Sequence, residues 1–77
     1  MNVYTVHAVR DADSGRWSTD GEGDIPGLVC ETASLEKLLE VIADVAPDLV
    51  HDNLGLPKGE PFTIRLVTEQ QIACIAA

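Results

Sequence analysis

The sequence predicts a small α+β domain in the order β-β-β-α-β, and three observations carry that prediction. Alternating apolar and polar residues, separated by polar turns that contain glycine, fill the opening part of the chain. One stretch, Leu35 to Val50, places apolar residues at three- and four-residue spacing. A further alternating segment begins at Phe62. Three strands joined by short turns form an antiparallel meander, and the helix then carries the chain back. A right-handed crossover sets the last strand beside the first, parallel to the first and third. The result is a four-stranded sheet in the order 3-2-1-4 with one helix packed on one face.

The first strand is predicted over Asn2 to Arg10, with Tyr4, Val6 and Ala8 on one side and Val3, Thr5, His7 and Val9 on the other. Asp11 to Gly15 (DADSG) has the chemistry of a hairpin turn. The second strand, Arg16 to Thr19, is anchored by Trp17. Asp20 to Gly23 makes a polar loop, and Ile25, Pro26 and Gly27 form a rigid bend before a third strand over Leu28 to Glu31.

Ser34 is the natural N-cap of the helix, and Glu36 lies near the positive end of its dipole. Leu35, Leu38, Leu39, Ile42, Val45, Ala46, Leu49 and Val50 form its apolar face. Pro47 interrupts this pattern, removing one donor and clashing with the Ala43 carbonyl, at about 3 kcal/mol in a regular helix. A kink or break is therefore expected there, with a second helical turn beginning near Pro47. Asn53 and Gly55 supply the exit. Phe62, Ile64 and Leu66 then alternate with Thr63, Arg65 and Val67 in the fourth strand, and Ile72 to Ala77 either extends it or packs as a tail.

Seventy-seven residues make one domain, 1–77, without an internal repeat or linker. The formal net charge of −8 repels phosphate backbones, and the five cations, Arg10, Arg16, Lys37, Lys58 and Arg65, are scattered. Direct nucleic-acid binding is disfavoured, and a basic protein is the expected kind of partner. The start of the chain lacks a cationic flank, and no apolar run approaches the ~20 residues that span a bilayer, so no membrane association and a cytoplasmic location are expected. Cys30 and Cys74 lack metal spacing and sit in apolar-rich strand patterns, which reads as buried thiols.

Metal and catalytic motifs are weak. Asp11 and Asp13 resemble the start of a calcium loop, but Gly15 stands where a third oxygen ligand is required. Asp20, Glu22 and Asp24 read as a solvated acidic loop. Neither His7 nor His51 has a ligand partner at metal spacing, and nothing places Cys30 beside either as a nucleophile. No catalytic residue, metal site or cofactor is assigned. The more informative pattern is an acidic ridge on the helix, Glu36, Glu40, Asp44, Asp48 and Asp52, repeating every four residues. Each like-charge neighbour pair opposes an isolated helix by about 0.2–0.5 kcal/mol. The ridge is either a solvated face that keeps the domain soluble or a docking surface for a basic protein.

The segments DADSGRW at Asp11 to Trp17, then DIPGLVCETASLEKLL, then APDLVHDN resemble the bacterial domain of unknown function 1902 family, grouped with the HicB-like antitoxins. The resemblance runs along nearly the whole chain. It implies a fold similar to a truncated ribonuclease H-like core, an ability to dimerise, and, as in HicB proteins, a small basic RNA-cleaving toxin as partner. It carries no established activity or site. The first strand offers Val6, His7 and Ala8 where a ribonuclease would need an acidic metal ligand, so a two-metal nuclease is not expected. The chain ends before any DNA-binding domain of the kind typical HicB proteins carry, so the resemblance gives no ground for expecting DNA binding. The leading expectation is a non-enzymatic homodimeric interaction module that engages a basic toxin-like protein through its ridge. The alternative is a small-molecule or metal-binding domain, a degenerate enzyme-like fold with its ligand near Asp11 and Asp24.

Overall fold

A computed structural model describes residues 2–77, and Met1 lies outside it. Among the described residues the chain forms β1 (Val3–Arg10), β2 (Trp17–Thr19), β3 (Glu31–Thr32), α1 (Leu35–Leu54) and β4 (Thr63–Glu69). The sheet order is β3-β2-β1-β4, with β1 antiparallel to β2, β2 antiparallel to β3 and β1 parallel to β4. The predicted architecture and strand order hold.

Alternation along β1 sends Val6 and Ala8 into the core with Trp17 of β2. From the other side Leu38, Ile42, Ala46 and Val50 pack down on them, all spaced by four residues and buried. The buried stripe is narrower than the apolar pattern implied. Leu39 and Val45 border it and remain 48% and 39% exposed.

The helix starts where the cap chemistry places it. Ser34 has extended backbone, and its hydroxyl accepts the Lys37 N–H at 3.1 Å. It ends at Gly55, whose φ of 73° lets its N–H return to the helix's last carbonyls. The expected division at Pro47 is corrected: α1 runs from Leu35 to Leu54 as one helix. Ala46 and Val50, on either side of Pro47, are both fully buried, so packing holds the two halves in line. The Ala43 carbonyl that loses its donor lies on an exposed residue, within reach of solvent.

The third strand is displaced from its expected position. Leu28 to Cys30 are irregular and the paired residues are Glu31 and Thr32. The Thr19 hydroxyl explains the shift: it donates to the Leu28 carbonyl at 2.9 Å and accepts the Cys30 N–H at 3.0 Å, substituting a side chain for ladder bonds. The Thr19 N–H also donates to the Cys30 carbonyl at 3.0 Å.

Between β2 and the bend, the chain continues alongside β1. Asp20 donates its N–H to the His7 carbonyl at 3.3 Å, and Asp24 donates its own to the Thr5 carbonyl at 2.8 Å. The Asp24 carboxylate accepts the Thr5 N–H at 2.7 Å in return. Gly23 makes this approach possible, since a Cβ there would stand 2.5 Å from the Thr5 carbonyl oxygen and 3.0 Å from the Val6 Cα. Immediately beyond, Ile25 and Leu28 are driven into the core.

The last strand ends at Glu69. Residues 70–77 neither extend it nor pack as a tail: Ile72 and Ile75 are 83% and 98% exposed. Cys74 is exposed with them and Cys30 is only partly buried, which corrects the expectation of two buried thiols.

Two substitutions probe these points. Gly23→Ala forces the segment off β1 and is expected to destabilise the domain by about 2 kcal/mol or more, read as a lowered urea midpoint. Pro47→Ala restores a donor to a helix already held straight and is expected to raise stability by roughly 1–3 kcal/mol. A loss of stability would instead assign Pro47 a packing role.

Candidate functional site

All five ridge residues, Glu36, Glu40, Asp44, Asp48 and Asp52, are exposed on α1. Four-residue spacing advances the ridge slowly around the helix. It begins on the turn shared with exposed Leu39, passes exposed Val45 between Asp44 and Asp48, and ends at Asp52 on the turn shared with exposed Leu54. The exposed surface of the helix therefore combines carboxylates with three uncovered apolar side chains, Leu39, Val45 and Leu54. Lys37 is its single cation, and Lys37 Nζ lies 3.2 Å from Glu40 Oε2 in an exposed pair. Such a pair contributes little to stability and leaves the ridge strongly negative. Glu36 in the first turn is favoured by the helix dipole, whereas Asp48 and Asp52 stand near the end that disfavours negative charge.

The acidic loops use their carboxylates differently. Asp11 accepts N–H groups from Asp13 at 2.8 Å and Ser14 at 3.4 Å, closing an Asx turn. Those backbone bonds hold its carboxyl below the ordinary value of 3.8. Asp20 accepts the Glu22 N–H at 2.9 Å, and Asp24 holds Thr5. Each of these groups is engaged with backbone, and among the described residues no cluster of three His, Cys, Asp or Glu side chains is arranged to hold a metal.

Among the described residues neither histidine is hydrogen-bonded to a thiol, and the Cys30 Sγ lies 3.9 Å from the Thr19 hydroxyl. His7 on the open face of the sheet has Nδ1 3.7 Å from Asp20 Oδ2. With Val67, Glu22 and Glu69 they border an open hollow of about 240 Å³. His51 is partly buried, with Nδ1 2.7 Å from the Leu56 carbonyl. A carbonyl only accepts, so Nδ1 carries the proton. His51 thus ties the loop after α1 back to the helix. A second hollow of about 200 Å³ opens there, bordered by Pro47, Asp48, Leu56, Lys58 and Phe62.

The bend before β3 is fastened to the same end of α1. The Asn53 amide donates to the Pro26 carbonyl at 3.0 Å, and Gly27 takes a φ of 82° beneath Leu49 and Asn53. Immediately before β2, Arg16 pairs with Glu31 of β3.

The family model described as a domain of unknown function, DUF1902, matches residues 3–76. The chain belongs to the DUF1902 family. Its segments at Trp17, Asp24 to Leu28 and Pro47 to Asn53, which carry the resemblance, converge as a buried indole, a bend and the helix end that holds the bend. A crystal structure of hypothetical protein TTHA1013 from the extremely thermophilic bacterium Thermus thermophilus is similar, at 32% sequence identity and a TM-score of 0.74. That likeness covers 95% of this chain and 100% of the other. No curated protein matches the chain. Among the described residues no helix is long and apolar enough to cross a membrane.

The Asp11 turn has a pH signature. A carboxyl lowered in the folded state contributes stability above its unfolded value, and that contribution is lost as pH falls through the lower folded value. A carboxyl-detected NMR titration is expected to place Asp11 below 3.8, with the Asp13 and Ser14 amide signals moving at the same midpoint.

Proposed function

We propose that this domain is a non-enzymatic protein-interaction module, a HicB-like antitoxin or stand-alone relative, acting as a homodimer. It engages a small basic, toxin-like protein through Glu36, Glu40, Asp44, Asp48 and Asp52. The observation that carries the reading is the ridge: five exposed carboxylates on one helix, two of them near its negative end, bordered by exposed Leu39 and Val45. Like charges at this spacing oppose the helix that bears them. A domain this small has little stability in reserve. A complementary basic partner offsets the repulsion, and the summed field of a chain with net charge −8 draws such a partner in. Leu39 and Val45 supply apolar contact area that charge alone lacks.

The alternative, a ligand or metal site at the acidic loops, has less to support it. Asp11, Asp20 and Asp24 accept backbone N–H groups, which leaves few oxygens directed at a common point.

The test reverses Glu40, Asp44 and Asp48 to Lys and follows binding of a candidate small basic protein. The expected outcome is a fall in association rate of roughly tenfold or more and a flattened or inverted salt dependence. The same variant is expected to unfold at equal or higher denaturant concentration, because Asp48→Lys places a cation toward the helix C-terminus. An unchanged association rate and salt slope would sink the docking role.

A further inference from the structure

β4 is the outer strand beside β1, and among the described residues nothing pairs with its other side. Thr63 donates its N–H to the Asn2 carbonyl at 2.8 Å. The backbone groups of Thr63, Arg65, Val67 and Glu69 therefore point to β1, and those of Ile64, Leu66 and Thr68 point outward. The strand is seven residues long and contains no proline, so its outward row of donors and acceptors is open to another strand. The segment that follows it carries Ile72 bare to solvent.

We infer that β4 pairs antiparallel with β4 of a second copy of this chain, about a two-fold axis at Val67. The inference deepens the homodimer part of the proposed function and rests on it. The register follows from backbone direction and charge. Outward-facing residues must meet outward-facing residues, which puts the axis through a residue and not between two. An axis at Leu66 sets Arg65 against Val67 and Thr63 against Glu69. An axis at Thr68 sets Arg65 against Gln71 and Val67 against Glu69. Both leave charges without opposite partners. An axis at Val67 sets Val67 against Val67 and Arg65 of each copy against Glu69 of the other.

Arg65 and Glu69 both lie on the open face of the sheet, in register with Thr5 and Val9, so the two ion pairs flank the valines on one surface. The same axis sets Ile72 of each copy opposite Phe62 of the other. Phe62 lies on the helix side of the sheet, where it packs edge-on against Tyr4 at 5.9 Å between ring centroids. Extending the exposed segment 70–72 as strand would thus cover an aromatic pair with an isoleucine that otherwise faces water. Arg65, one of five cations in a chain of net charge −8, stands where this contact needs it.

The full chain is examined by sedimentation equilibrium, alone and as Arg65→Glu and Arg65→Glu/Glu69→Arg variants. The wild type is expected to be a dimer. Arg65→Glu turns both ion pairs into repulsions and weakens it by roughly tenfold or more, while the double exchange restores it. Val67 forms a non-hydrogen-bonded pair at the axis, where opposed Cα atoms stand about 4.5 Å apart, within disulfide reach. Val67→Cys in a Cys74→Ser background is accordingly expected to oxidise to a linked dimer, a readout that survives any loss of stability in the charge variants. A monomeric wild type defeats this contact and the homodimer reading together. A dimer that is indifferent to Arg65→Glu and does not cross-link through position 67 defeats the contact alone.

Discussion

After β2 the chain has to travel from the end of a short hairpin to the start of the helix without exposing the flank of β1. It does so by lying against β1. Gly23 approaches so closely that a methyl group would overlap the Thr5 carbonyl, and Asp24 closes the contact by both accepting from and donating to Thr5. Everything after that point inherits its position. Ile25 and Leu28 enter the core because the preceding residues are fixed, and the bend between them presents the Pro26 carbonyl to Asn53. One backbone contact thereby sets the floor of the core and the resting place of the helix end. β2 and β3 contribute only three and two residues, so a sheet built on their ladder bonds alone would be poorly defined.

The helix carries two features that oppose it, a proline in its interior and a row of like charges. Both are tolerated because stability in such an element comes from its packed face. Leu38, Ile42, Ala46 and Val50 lie on a single row, and the proline falls between two of them. The lost hydrogen bond is on the solvent side, where the freed carbonyl is open to water. The carboxylates are on that side too, where their mutual repulsion is screened but not abolished. Neither Pro47 nor the ridge helps the domain fold, which separates the inner face, explained by packing, from the outer face, which packing leaves unexplained and to which the proposed docking role would give a use.

Features written in local chemistry were legible before the structure. Ser34, Gly55, the DADSG turn and the alternation of β1 each announce themselves within a few residues, and the strand order follows from chain direction. What escaped sequence reading depended on distant partners. Gly23 in a polar loop reads as flexibility, and only the Thr5 carbonyl beside it reveals a steric requirement. The place of β3 is decided by the Thr19 hydroxyl, well before it in the chain. Pro47 breaks an isolated helix but not one clamped at Ala46 and Val50. Ile72, Cys74 and Ile75 have the hydrophobicity of a strand, yet no neighbour within the chain receives them. The ridge was legible from its spacing; the exposed Leu39 and Val45 beside it were not, because pattern alone does not report how wide a stripe the sheet can cover.

The acidic ridge and the β4 edge meet at one place. Asp48, near the end of the ridge, borders the same hollow as Pro47, Leu56 and Phe62, and Phe62 is the residue that the second copy's Ile72 would cover. A basic protein docked along the lower ridge would then touch both copies. Contacts to a residue pair that exists only in the dimer make binding and dimerisation reinforce each other, since a ligand that prefers one state must stabilise it by the difference in its affinities. For a chain of this length, with a small core and a helix strained by its own charge, association would supply stability the single domain lacks. The ridge and the open strand edge, each a liability in an isolated monomer, would become mutually supporting in the proposed dimer bound to a basic partner.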